Sequence, residues 1–396
     1  MITKISGGKV ISKRKTESTN VYLEDGKIIK ITNENLPFDV EYCADGNYVS
    51  AGFIDIHTHG AADYDFLDND EEGFLRIAQA HAEHGAGSIV PTITSADVES
   101  TIDAILTFDK VKNKNTKGSN MLGVHLEGPY FAPSQKGAQE ERFLRDYSRE
   151  EYEQILSAAD SILRWTGAPE LKGSEEFASV LKERGILPCI GHSDADSTCT
   201  EKAFKDGFTH VTHLYSCVSS VHRKNAFRYA GIVEMAYLID DMTVEIIADG
   251  IHLPADLLKF VYKFKGPEKT ALITDSMRGA GMPDGPSVLG KRDNGLHVVI
   301  EDGVAKLPDR TAFAGSVAFC DRLVRNMVNM ADVPIEDAVL MATKTPAEIL
   351  GIKNKGDVVC GYDADIIIFD EDINICANFV GGKPIYITDK IKKSSL

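Results

Sequence analysis

The sequence predicts an α/β protein: a (β/α)8 TIM barrel with a small β-sandwich domain formed by the N- and C-terminal segments. Three observations lead there. Eight apolar, strand-like runs recur through the middle of the chain and alternate with helical segments. Both chain ends carry short strands and turn signals with no helical period. Histidines and carboxylates gather at the C-terminal ends of the central strands, where such barrels place their chemistry.

The eight runs are FIDIHTH (53–59), SIVPTIT (88–94), MLGVHLE (121–127), ILRWTGA (162–168), ILPCIGHS (186–193), FTHVTHLY (208–215), TVEIIADG (243–250) and TALITDS (270–276). Segments such as EEGFLRIAQAHAEHG (71–85) and EEYEQILSAADSI (150–162) carry the helical period between them. A doubly wound open sheet is the alternative, but no glycine-rich phosphate loop follows the first run. After the eighth, LHVVIEDGVAKL (296–307) reads as an inserted hairpin turning at Asp302-Gly303, and two helical stretches then reach about residue 350. At the ends, Asp25-Gly26 and Gly381-Gly382 mark two further hairpins. The expected division is a sandwich from 1–50 and 355–396 around a barrel from 51–354.

With 396 residues and 43% of them hydrophobic, the chain can bury a large core. A net charge of -17 argues against nucleic acid or an anionic membrane as partner. The start, MITKISGGKVISKRK, has no apolar stretch of signal-peptide length, and no run approaches the ~20 apolar residues of a membrane span, so a cytoplasmic protein is expected. Seven scattered cysteines without a C-x-x-C pair indicate neither a disulfide framework nor a zinc-thiolate site. They read as core or surface thiols, with Cys217, just past the sixth run, as the exception.

The stretch IDIHTHG (54–60) places His57 and His59 on one face of a strand, the arrangement that offers two nitrogens to one divalent ion. Glu127, His192, His213 and Asp275 end the third, fifth, sixth and eighth runs. All six residues suit Zn2+ or Fe2+, and none is cheaply buried without a partner. The remaining histidines are read differently. His81 and His84, near a helix end, are expected at the surface or capping the helix. His125 belongs to the core or behind the ligands. His210 and His297 are structural, and His252, just past the seventh run, is a substrate contact at the mouth.

The stretches AGFIDIHTHG, GVHLEGPYF, KGAQ, GHSDA, THLY, ADGIHL, LITDSM, FAGS and DADIIIFD occur in this order over nearly the whole chain. Together they resemble the amidohydrolase superfamily, and within it the N-acetylglucosamine-6-phosphate deacetylase family. The resemblance implies a metal-dependent hydrolase that removes the acetyl group from N-acetylglucosamine 6-phosphate. It assigns one ion to His57, His59, Glu127 and Asp275 and the other to Glu127, His192 and His213, with one or two ions per subunit. Asp275 would act as general base toward water and then as general acid toward the departing nitrogen. Substrate contacts would come from Ala138, Gln139, Ser216, Cys217, Asp249, His252, Ala314 and Gly315, with His252 or Gln139 helping to hold the acyl oxygen or sugar hydroxyls. An arginine after the sixth strand, Arg223 or else Arg228, would meet the phosphate of the neighbouring subunit in a homodimer. Members such as dihydroorotase and hydantoinase instead use a carboxylated lysine on the fourth strand, and ILRWTGAPE has none.

The chain departs from the family pattern in three places. Ser216-Cys217-Val218 stands where Asn-Ala-Met is usual, the R-x-P-G of the arginine region is missing, and Gln139 replaces a histidine. These changes leave the metal chemistry intact. They open the substrate to another N-acetylated sugar, such as N-acetylgalactosamine 6-phosphate, or to an N-acyl amino acid or cyclic amide.

Overall fold

The computed structural model describes residues 1–395. Its central strands are Phe53–Thr58, Ala86–Ile93, Val124–Glu127, Ile162–Gly167, Leu187–Ile190, His210–Val211, Thr243–Ile247 and Thr270–Ile273. Each pairs in parallel with the next. A bridge between Thr58 and Ser276 brings the eighth strand back to the first, so the barrel is nearly closed. Helices follow the strands on the outside, beginning with Glu71–Glu83 and ending with Cys320–Ala331. Asp70, Asp97, Ser148 and Asp196 cap four of them by accepting backbone amides of the first turn.

The apolar runs extend past the hydrogen-bonded strands at their C-terminal ends. His192, His213 and Asp275 lie beyond the ladder with φ of 48°, 29° and 46°. Non-glycine residues held in the left-handed region cost about 1–3 kcal/mol each. That cost falls on three residues whose side chains must turn in over the barrel mouth.

The chain ends form one nine-stranded sheet around Thr3–Ser12, with Lys15–Glu24, Lys27–Thr32, Val40–Cys43 and Tyr48–Ala51 from one end and Ile366–Phe369, Ile375–Val380, Lys383–Ile387 and Lys392–Ser395 from the other. Tyr42 and Phe379, on strands that are not neighbours in this sheet, meet edge to face at 5.0 Å. The sheet therefore folds over a core of its own, which includes Ile5, Val21, Leu23, Ile366 and Ile368. Asp25-Gly26, Asp302-Gly303 and Gly381-Gly382 all adopt positive φ at both positions, as a two-residue hairpin turn requires. So does Lys13-Arg14, a hairpin that no turn residue announces.

Two expectations are refined. The insert after the eighth strand is a four-stranded antiparallel sheet running from Gly285 to Ser316, twice the expected hairpin. Three helices, Cys320–Ala331, Ile335–Ala342 and Lys344–Ile349, follow it instead of two. Pro334, lacking an N–H, starts the second of them, and the non-helical Thr343 separates it from the third. Among the described residues, no helix is long and apolar enough to cross a membrane.

Candidate active site

The first strand delivers His57 and His59 to the barrel interior, and Gly60 lets the chain leave abruptly: a Cβ there would lie 2.1 Å from the Tyr64 carbonyl oxygen. All four strand-end histidines have Nδ1 held by an oxygen. His59 donates to the Thr92 carbonyl at 3.2 Å, His192 to that of Gln135 at 2.8 Å and His213 to that of Ser216 at 3.1 Å. His57 Nδ1 instead lies 2.8 Å from Oε1 of Glu245. Each ring therefore turns Nε2 toward one common space.

There the six residues fall into two groups, His57 with His59 and Asp275, and Glu127 with His192 and His213. Nε2 of His57 and His59 are 3.3 Å apart, and Asp275 Oδ1 lies 3.4 Å and 3.1 Å from them. Glu127 Oε1 is 2.9 Å from His213 Nε2 and 3.2 Å from His192 Nε2, while its Oε2 is 3.4 Å from His59 Nε2. Atoms bonded tetrahedrally to one ion at roughly 2.0–2.1 Å stand roughly 3.3 Å apart, so both groups fit a divalent metal, with Glu127 between them.

The electrostatics agree with that fit. Burial pushes Glu127 up, but hydrogen bonds from His192 and His213 outweigh it and hold the carboxyl well below its usual range. Burial likewise raises Asp275, and the charges of His57 and His59 bring it down. Burial lowers His59, yet its bonds to Asp275 and Glu127 raise it well above an ordinary imidazole. The two buried carboxylates thus place negative charge where the four imidazole Nε2 atoms converge, an environment that a divalent cation would suit.

Above the six residues opens a cavity of about 310 Å³. Ala138, Gln139, Ser216, Cys217, His252 and Gly315 line it together with five of the six metal-site residues, His57 lying below. A larger cleft of about 470 Å³ lies between the Lys13-Arg14 turn and Glu336–Lys344, remote from these groups.

The sequence profile of the amidohydrolase family matches residues 48–392. The chain belongs to the amidohydrolase family. It is 33% identical over 85% of its length to the N-acetylglucosamine-6-phosphate deacetylase of Vibrio furnissii, covering 82% of that protein. It is 31% identical to the enzyme of the same name from Lysinibacillus sphaericus, with 93% of each covered. The crystal structure of N-acetylglucosamine-6-phosphate deacetylase from Thermotoga maritima superposes with a TM-score of 0.86 at 30% identity, covering 98% of this chain and all of that one.

His81, Asp249 and Ala314 in this amidohydrolase lie elsewhere than the sequence alone suggested. His81 is not at the surface: it is fully buried, because it falls on the inward stripe Phe74, Ile77, Ala78, His81 of its helix. Its Nε2 meets the Thr58 hydroxyl at 3.1 Å, and burial pushes its pKa down to about 3. His84 caps that helix, half-buried, against Asp321 at 3.1 Å and the ring of Phe319. Asp249 stands behind the cavity wall, holding His252 Nδ1 at 2.7 Å. Ala314 packs among Met277, Val298 and Ile300 in the inserted sheet. Arg223 and Arg228 face each other across an exposed hairpin, outside the cavity. Gln139 donates to Glu127 Oε2 and accepts the Ser95 amide.

His125 lies behind the ligands, bonded to Thr92 and Thr166 at 3.2 Å and 2.7 Å. His210 bonds Thr243 and Glu245, and His297 is exposed. The reading from sequence missed Arg164 and Glu245, a fully buried ion pair beneath His57. Its signal was a charged residue inside each of the apolar runs ILRWTGA and TVEIIADG.

Proposed function

We propose that this protein hydrolyses N-acetylglucosamine 6-phosphate to glucosamine 6-phosphate and acetate. One observation carries the reading: a buried carboxylate, Asp275, stands beside a two-position metal site at the floor of a cavity wide enough for a sugar. The named relatives support the choice of substrate.

An acetamide has a weakly electrophilic carbonyl and a poor leaving group. Zn2+ or Fe2+ at these residues supplies Lewis acidity and a nucleophilic water near neutral pH. Asp275, kept ionised by His57 and His59, accepts the proton of the attacking water and returns it to the departing nitrogen. His252, with Nδ1 committed to Asp249, has Nε2 left to accept a sugar hydroxyl. The Ser216 hydroxyl offers a second such contact.

The phosphate contact is read as Arg223, with Arg228 second, reaching the cavity of a second copy in a homodimer. Their distance from the cavity of their own chain supports this, as does the exposure of Val221 and Phe227 on the same segment, 58% and 71%. All seven cysteines are free, which suits a reducing cytoplasm.

The test is acetate release by the zinc- or iron-loaded protein from N-acetylglucosamine 6-phosphate, its unphosphorylated form and N-acetylgalactosamine 6-phosphate. Preference for the first by tenfold or more supports the reading. Preference for the galactosamine epimer transfers the activity to that sugar and assigns the change to Ser216-Cys217-Val218. No release from any of the three, with metal content verified, rejects it.

A further inference from the structure

We infer that Glu245, clamped by Arg164, is a positioning residue that aims His57 and strengthens it as a ligand, so that it supports the His57/His59/Asp275 position and not the other. The inference rests on the metal-dependent reading above. Its basis is an asymmetry among four otherwise similar rings. Three of them rest Nδ1 on a neutral backbone carbonyl. His57 alone rests Nδ1 on a carboxylate, at 2.8 Å. Either acceptor selects the tautomer that leaves Nε2 free for a metal, but only the carboxylate also makes the ring a more basic donor.

The carboxylate is itself held. Glu245 Oε2 pairs with the Arg164 guanidinium and lies 3.1 Å from His210 Nε2, and both members of the ion pair are completely buried. Arg164 reaches further, donating to the Ile56 carbonyl at 3.3 Å and to the Thr212 hydroxyl at 3.1 Å. Those residues immediately precede His57 and His213 in the chain. An ion pair at this depth adds little stability over a well-packed apolar pair, since desolvation offsets the attraction. Its use lies in presenting a fixed negative charge to His57 alone among the four strand-end imidazoles.

The test strips the full-length protein of metal and titrates Zn2+ against a chromophoric chelator. An H192N variant, impaired at the other position, identifies which transition belongs to which position. R164M/E245L removes both charges together and leaves no unpaired ion. It should lose about 10- to 100-fold in zinc affinity at the His57 position and change less than about threefold at the other. R164M/E245Q, which restores an uncharged acceptor, should recover only part. Unchanged affinity at the His57 position in folded R164M/E245L overturns the inference, as does equal weakening at both positions or full recovery by glutamine. Wild-type protein that binds no zinc defeats the metal reading itself, a different result. If the double variants do not fold, histidine-labelled, zinc-loaded wild-type protein answers by NMR. The His57 ring, identified by its loss in H57N, should carry an exchange-protected proton on Nδ1, and an unprotonated Nδ1 overturns the inference.

Discussion

Gln139 donates its amide hydrogen to Oε2 of Glu127 at 2.8 Å while its own carbonyl accepts the backbone amide of Ser95 at 3.0 Å. Glu127, which lies between the two groups of potential ligands, is thus braced from outside both. Q139A should weaken zinc binding by about 10-fold, the scale of losing a partner that orients a ligand. Chelator competition measures it, and unchanged affinity would mean that His192 and His213 hold Glu127 unaided.

On the proposed function Asp275 is both ligand and proton carrier, and substitution separates the two roles. D275N leaves His57, His59 and Glu127 in place, so zinc content should stay near that of the wild type. Turnover should fall by about 10²- to 10⁴-fold, the contribution of a positioned acid–base group. Near-normal turnover would remove Asp275 from the proton path.

The buried imidazole of His81 sets a pH dependence of stability. Its pKa is about 3 in the fold and 6.5 for an ordinary side chain, so between those values the unfolded chain takes up a proton that the folded chain does not. Its contribution is complete above pH 6.5 and declines as the pH falls toward 3. Each pH unit inside the window is worth about 1.4 kcal/mol. On going from pH 7.5 to 5, H81Q should gain roughly 2 kcal/mol relative to wild type in urea unfolding. A constant difference would mean that His81 takes up a proton in the fold over the same pH range as in the unfolded chain.

If the arginine hairpin meets the phosphate as proposed, it divides substrates by charge. A lost charge-assisted bond to phosphate is worth about 1.5–3 kcal/mol, so R223A should raise KM for the phosphorylated sugar by about 10- to 100-fold. KM for the unphosphorylated sugar should not move. If R228A produces that pattern and R223A does not, the roles of the two arginines are exchanged.

That His57, His59, Glu127, His192, His213 and Asp275 converge was legible because each stands at or near the end of an apolar run, a position where a polar side chain has no packing reason to be. His81 is the opposite case: its nearness to a helix end suggests the surface, but its place on the Phe74, Ile77, Ala78 stripe turns it inward. The Lys13-Arg14 turn carries no glycine or asparagine to announce it, and tertiary pairing of the flanking strands imposes its positive φ. Asp249 and Ala314 stand in the right motifs, but which way a side chain points at the rim depends on loops that no periodicity describes.

Local order was in the sequence by itself: alternation of strand and helix, hairpins at Asp25-Gly26 and Gly381-Gly382, and paired imidazoles on one strand. These follow from side-chain period and backbone sterics over a few residues. Only the tertiary structure brought Glu245 and Arg164, 81 residues apart, together beneath His57, and turned Gln139 onto Glu127. Such partners are selected by closure of the barrel. A buried charge must find its counter-charge on whichever strand the ring brings across, and no short stretch of sequence records which strand that is.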